Sequence, residues 1–269
     1  MRIKSNPEQD WHNFGELDPY YAVLTSDKYK NENLTEATKE HFFYTGVEHM
    51  RTCLDVAKTL ISLPSGGRAL DFGCGVGRLT CAMAPYFLEV IGLDISPAML
   101  TEARKESTKR ALNNIVFDMS TEESRYAPDT YDFIHSFLVF QHIPVPKGEY
   151  IIKKLLGSLK SHGVGAIHLT YGKARGAIVA RFDEVLKNFP PLRAIRNLAL
   201  GRSWNYPAMQ LNCYNMSTIF EILYDQNITK LLIYHVDDGI NTGLYLFFQK
   251  PDRTEAPPPW SNPYPKVLN

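Results

Sequence analysis

The densest group of residues able to do chemistry is the run Asp71-Phe72-Gly73-Cys74-Gly75-Val76-Gly77-Arg78. Glycines at alternate positions let the chain turn tightly and let a ligand come close to the main chain. A helix starting after such a loop offers free N–H groups and the positive end of its dipole. Asp94 follows Gly73 by 21 residues. A carboxylate there can accept two hydrogen bonds from the vicinal hydroxyls of a ribose. No Gly-Lys-Ser/Thr closes the run, which excludes a P-loop. A dinucleotide loop wants its third glycine one residue after Gly77, where Arg78 stands. Any nucleoside ligand carries a ribose, so Asp94 leaves the choice open. Asp71 narrows it, because a carboxylate beside the loop repels a pyrophosphate and suits a sulfonium or an amino group.

Alternating elements must position these residues. Arg68 to Phe72 reads as a buried strand, and Arg78 to Phe87 as the helix after the loop. Glu89 to Leu93 is a second strand ending at Asp94. Ser96 to Ala111 is a helix with Ser96 as N-cap and Pro97 at its first position. Ile115–Phe117 and Tyr131–Ser136 are further strands. Gly148–Leu159 is a helix, and Gly163–Thr170 a fifth strand after a Ser161-His162-Gly163 turn. This rhythm predicts an α/β fold with a Rossmann-like, doubly wound, mostly parallel sheet of seven strands. Lys230–Val236 and Gly243–Gln249, around Asp237-Asp238-Gly239, are the last two strands, the final one antiparallel. The helical spacing of Val47, Met50, Cys53, Leu54, Ala57 and Leu60 opens the main domain, set at 46–250, and Pro64-Ser65-Gly66-Gly67 ends that helix. Residues 1–45 are aromatic-rich and read as a helical cap. Residues 171–214 break the rhythm and read as an insertion or lid with a basic helix-like stretch from Arg193 to Arg202. A helix follows at about 217–226, and a proline-rich, irregular tail runs over 251–269.

Four segments, in order, carry a resemblance. Leu70 to Thr80 is similar to the first motif of class I S-adenosylmethionine-dependent methyltransferases, of the small-molecule type, and Val90 to Leu100 to their second. Tyr131 to Ser136 with Phe140 to Ile143 resembles the fourth-strand motif. Leu159 to Val164 resembles the turn before strand five, with Ser161-His162 where the family has Pro-Gly. The likeness spans about residues 46–171. It implies S-adenosyl-L-methionine as cofactor, with Asp71, Gly73 and Gly75 along its methionine part and Asp94 on the ribose. Ile95 and Met99 would lie against the adenine, with Asp118 and Met119 near its amine. Ser136, Phe137 and Gln141 would border the methionine end, and Arg51 would pair with the carboxylate or sit on a solvated helix face.

The acceptor is less legible. The cap and the insertion are free to cover the carboxyl ends of the strands, where ligands bind in such folds. They supply Tyr20, Tyr21, Tyr171, Tyr206, Gln210, Asn212 and Tyr214 as pocket candidates. A hydroxyl acceptor needs a base, and histidine has the pKa for it. His142 follows strand four and is the first choice, with a structural hydrogen bond as its other reading. His168 is a further choice, and His135, within a strand, reads as structural. The expectation is an O-methyltransferase acting on a small molecule. Transfer to nitrogen, to protein or to nucleic acid, a catalytically silent cofactor-binding partner subunit, and an NAD-dependent oxidoreductase are the alternatives.

Bulk properties set the outer bounds. The chain has 269 residues, 44% of them hydrophobic, enough for one large domain with a cap. Lys+Arg and Asp+Glu are both 29. Such a neutral balance argues against broad binding to nucleic acid or an anionic membrane. Cys53, Cys74, Cys81 and Cys213 form no Cys-x-x-Cys pair and no zinc spacing, so no metal site is expected and a reducing, cytoplasmic setting fits. Met1 to Trp11 lacks an apolar core, so no signal peptide is expected.

Overall fold

The computed structural model describes residues 6–60, 67–173, 190–199, 203–204, 206–237 and 241–252. Helices α1 (Pro7–Leu17) and α2 (Pro19–Val23) lead into the long α3 (Glu36–Leu60). Asn6 caps α1 by accepting from the Glu8 N–H, and Pro7 takes the first helical position, where its missing N–H costs nothing. The sequence predicts a helical cap ending at residue 45 and a new helix from about 46. Instead α3 runs unbroken through that boundary, because its apolar face is continuous. Phe42 and Phe43 face the cap, while Met50, Cys53, Leu54 and Ala57 face the sheet.

The sheet holds β1 (Arg68–Phe72), β2 (Glu89–Asp94), β3 (Ile115–Met119), β4 (Tyr131–Ser136), β5 (Leu159–Lys173), β6 (Leu231–Asp237) and β7 (Asn241–Gln249). Their order is β3-β2-β1-β4-β5-β7-β6, with β7 antiparallel to both β5 and β6. This is the doubly wound, mostly parallel sheet with an antiparallel last strand. β5 is longer than its apolar core predicted, since β7 pairs with it as far as Lys173.

Strand alternation builds two cores. Ala69, Val90, Phe133, Val164, Ala166 and Phe247 face α3 and α4 (Arg78–Met83). Leu70, Phe72, Ile91, Ile134, Ile167 and Leu246 face α6 (Val145–Ser158) and α8 (Met216–Tyr224). At about 1.5–3 kcal/mol for each large apolar side chain buried, these layers hold the strand ends rigidly. α5 (Pro97–Lys109) is capped by Ser96, whose hydroxyl accepts from the Met99 N–H. Of the insertion, α7 (Pro190–Ala199) is described. Arg193 on α7 ties it to the cap through both carboxylate oxygens of buried Asp10, at 3.0 Å each. The 64–66 turn, the Asp238-Gly239 turn, residues 174–189 of the insertion and the tail beyond 252 lie outside the described residues. Among those described, no helix is long and apolar enough to cross a membrane.

Candidate cofactor and acceptor site

The glycine run turns at the carboxyl end of β1, and three of its residues need a left-handed backbone. Gly73, Gly75 and Gly77 have φ of +76°, +54° and +82°. A Cβ on Gly73 would stand 2.3 Å from Val139, and one on Gly75 2.7 Å from Val23 of α2. The loop thus forms a cradle that side chains would fill, and the cap closes over it. The Gly73 and Cys74 N–H groups donate to the Leu93 carbonyl, at 2.7 and 3.0 Å. The Gly75 N–H donates to Asp94 Oδ2 at 2.8 Å. Asp94 Oδ1 accepts from the Ser96 N–H at 2.9 Å. Burial pushes the Asp94 carboxyl up, against the pull of these N–H groups. A carboxylate has about four acceptor positions, so some remain for a ribose.

A small cleft lies beside the loop, walled by Val23, Asp71, Gly73, Arg78, Phe137 and Leu138. Leu138 has φ +60°, an uncommon conformation for leucine and the kind of local strain found at binding sites. Asp71 is 2% exposed, with Oδ2 accepting from Thr80 at 2.6 Å and Oδ1 facing His135 Nδ1 at 2.9 Å. Arg78 is 5% exposed. Its Nη1 donates to Thr45 at 3.3 Å, and its buried Nε has no partner among the described residues. Burial holds its pKa down to about 10, with Asp71 opposing. A buried guanidinium with an unused N–H on a cleft wall is unstable bookkeeping for a free protein. It suits a ligand carboxylate, as the glycine cradle suits a ligand backbone and Asp71 an ammonium or sulfonium. The residues present therefore fit an amino-acid-bearing nucleoside.

Other expected site residues distribute around this centre. Arg51 is exposed on α3, and Arg78 is the cation at the cleft. Ile95 is half-buried, while Met99 is buried in the cap cluster with Phe14 and Tyr20. Gly15 of α1 presses so closely there that a Cβ would stand 2.3 Å from Ser96 Oγ. Asp118 is ion-paired to Arg125, and Met119 is half-buried. Ser136 is buried and donates to the Phe72 carbonyl at 3.0 Å. Phe137 packs against His49 with the rings tilted and centroids 4.3 Å apart. Gln141 accepts from Thr170 at 2.8 Å.

His142 has both ring nitrogens engaged. Nδ1 faces the Gln210 carbonyl at 2.8 Å, so it carries the proton and donates. Nε2 then accepts from the Gln141 amide at 3.1 Å. Burial pushes its pKa down to about 4. The Trp11 ring lies against it at 4.8 Å. This geometry pins the 206–214 segment to the turn after β4, and Asn212 Nδ2, donating to the Gln141 carbonyl at 3.1 Å, adds to the pin. Of the pocket candidates, Tyr20 is buried and donates towards Glu102 and Glu106 of α5. Tyr214 is buried and its hydroxyl faces the Phe140 and Ile143 carbonyls. Both hydroxyls are committed to protein partners. Tyr21 lies under Lys30, Tyr171 is exposed on β5 beside His235, and Tyr206 packs edge-on to Phe14.

Arg78, on the cleft wall, and His49, packed behind Phe137, are the candidate site residues that the sequence reading does not single out. In the sequence Arg78 stands out only as the residue in the third-glycine position. Its place at the first turn of the helix leaving the loop was the usable signal. His49 and Cys53 are an i, i+4 pair on the apolar face of α3, polar groups where packing alone would want aliphatic ones.

Residues 69–163 match the family model described as "Methyltransferase domain". The trans-aconitate 2-methyltransferase of Methylobacterium radiotolerans is 35% identical over 130 residues, covering 47% of this chain and 47% of that one. A ubiquinone biosynthesis O-methyltransferase of Xanthomonas campestris is 30% identical over 115 residues, covering 41% and 45%. The chain spans less than half the length of these curated relatives. In fold it is similar to the magnesium protoporphyrin IX methyltransferase of Synechocystis, solved with bound S-adenosylhomocysteine. That likeness has a TM-score of 0.61 at 15% identity and covers 91% of this chain and all of the other. Cradle, buried acid, buried arginine and strand order agree with this likeness: over residues 69–163 the chain is similar to the methyltransferase domain, and its fold is similar to that of a methyltransferase solved with S-adenosylhomocysteine.

Proposed function

We propose that the protein moves a methyl group from S-adenosylmethionine to a hydroxyl of a small molecule in the cytoplasm. The observation that carries the reading is the pair Asp71 and Arg78, buried and of opposite charge, on one wall of the glycine-loop cleft. When bound, the cofactor supplies a methyl group activated by its sulfonium. Asp71, Gly73 and Gly75 hold the methionine part, Arg78 its carboxylate, and Asp94 the ribose. Ile95, Met99, Asp118 and Met119 border the adenine side, and Ser136, Phe137 and Gln141 the methionine end. The chain's work is alignment and exclusion of water, since in-line transfer gains most from a fixed approach in a dry site. Val23 and Val139 close on the loop and do both.

A small acceptor is supported by the neutral charge balance and by the names of the relatives, one of them an O-methyltransferase. Tyr21, Tyr171, Tyr206 and Gln210, none of them fully buried, are the acceptor-side candidates. Isothermal titration with S-adenosylmethionine tests the reading, with micromolar binding expected. A folded protein with no binding at millimolar cofactor would overturn it. Transfer of labelled methyl to a panel of phenols, carboxylic acids and amines then separates oxygen from nitrogen.

A further inference from the structure

Beneath the cleft, Asp71, His135, Tyr245 and His49 form one hydrogen-bonded file. Asp71 Oδ1 lies 2.9 Å from His135 Nδ1, and His135 Nε2 lies 2.7 Å from the Tyr245 hydroxyl. That hydroxyl is 3.4 Å from His49 Nε2 and 3.2 Å from Cys53 Sγ. His135, Asp71, Tyr245 and Cys53 are all buried, whereas His49 is half-buried against Phe137 of the cleft wall. His49 Nδ1 makes no hydrogen bond among the described residues.

The donors can be assigned. An ionised Asp71 only accepts, so His135 Nδ1 always carries a proton. The Tyr245 hydroxyl has one proton to give and two lone pairs. With His135 neutral, Tyr245 donates to His135 Nε2 and accepts from His49 Nε2–H and Cys53 S–H. Every position is then filled, and the lone pair of His49 stands on Nδ1. With His135 protonated, its Nε2–H donates to Tyr245, which turns its proton towards His49 Nε2. His49 then carries its proton on Nδ1. The file has two directions, and only the first leaves His49 able to receive a proton.

We infer that His49 is the catalytic base for a hydroxyl acceptor, and that Tyr245 and His135 pass the resulting charge to the side of Asp71. The inference rests on the methyltransferase reading above. As the acceptor oxygen gains the methyl carbon and the carbon–sulfur bond breaks, His49 Nδ1 takes the hydroxyl proton. His49 Nε2–H moves to Tyr245, and the Tyr245 proton moves to His135 Nε2. The positive charge lost from sulfur reappears as a His135 imidazolium beside the Asp71 carboxylate.

The electrostatics set when the file is ready: it receives a proton only with His135 neutral, so methyl transfer to a hydroxyl should rise as pH climbs through the pKa of His135. Burial, with His135, Arg78 and His168 nearby, pushes His49 down to about 2, so it cannot keep the charge. Burial also opposes charge on His135, but its hydrogen bond and attraction to Asp71, with Cys53 adding, outweigh this and raise it to about 9. The groups around the file are Asp71 of β1, Arg78 of α4, His49 and Cys53 of α3, His168 of β5 and Tyr245 of β7.

Nitrogen-15 histidine spectra of the full chain between pH 7 and 10 test the file without any acceptor. His49→Gln and His135→Gln identify the two rings. The expected result is that His49 moves its proton from Nδ1 to Nε2 as His135 titrates, with one shared midpoint. In Tyr245→Phe, which keeps the ring, His49 no longer follows His135. A His49 tautomer unchanged across the wild-type titration, or one that still follows His135 in Tyr245→Phe, would overturn the inference. Calorimetry separates this from the parent reading. Tyr245→Phe should bind S-adenosylmethionine within about threefold of wild type, a difference of under 1 kcal/mol. Absence of binding in wild type as well would overturn the methyltransferase reading, whatever the spectra show.

Discussion

Replacing Arg78 by Met removes the guanidinium and keeps most of the stem. Among the described residues the group has one hydrogen bond, to Thr45 at 3.3 Å, and an Nε with no partner. The loss of one long hydrogen bond costs about 0.5–1.5 kcal/mol, and relief from burying a cation offsets it. Stability should therefore change by about 1 kcal/mol or less, a shift in Tm of about 2–4 °C for a chain of this size. The bound state is different. A ligand carboxylate in the cleft would lose its partner out of water, and truncating one side of such a pair costs about 2–5 kcal/mol. That is a loss of about 30-fold to several thousand-fold in affinity. Titration calorimetry with S-adenosylmethionine, alongside a thermal melt, reads both numbers. An unchanged Kd in a variant whose Tm falls by more than about 8 °C would show Arg78 to be a packing residue, and the carboxylate assignment would be refuted.

Gly75→Ala should destabilise by about 1–3 kcal/mol in a urea melt, since φ is +54° and the new methyl meets Val23 at 2.7 Å. Tyr20→Phe should cost about 1–3 kcal/mol in the same assay, because it leaves buried Glu106 short of a donor, with cofactor affinity unmoved. Acid stability follows from His142, whose pKa burial pushes down from 6.5 to about 4. Between those values the unfolded chain takes up a proton that the folded site refuses, so stability falls as pH drops from 6.5 towards 4. His142→Asn should reduce that slope in melts across this window, with the share of buried His49 remaining, while an unaltered slope would place the acid sensitivity elsewhere.

Much of the fold was legible because β1, β2 and β4 are short apolar runs with loops rich in glycine and aspartate. Periodicity and turn chemistry say the same thing there. The end of β5 was not, because Tyr171 to Lys173 join the sheet only through pairing with β7, a contact between distant segments that local pattern does not encode. Asp71, the glycines and Asp94 were readable as a site because their spacing is local. His142 was read as a base from its position after β4, but the carbonyl of Gln210 that occupies its Nδ1 is 68 residues away. Arg78 and His49 escaped for the same reason. Their meaning depends on Asp71, Phe137 and Tyr245, which come from other strands and loops.

α3 has 25 residues, a rod of about 37 Å. Its first turns carry Phe42 and Phe43 into the cap, and its middle carries His49 and Cys53 to the sheet. A rod transmits displacement without a hinge. A displacement of Phe42 and Phe43 with the cap would therefore carry His49 with it, which would couple the position of the cap to the hydrogen-bonded file at Tyr245.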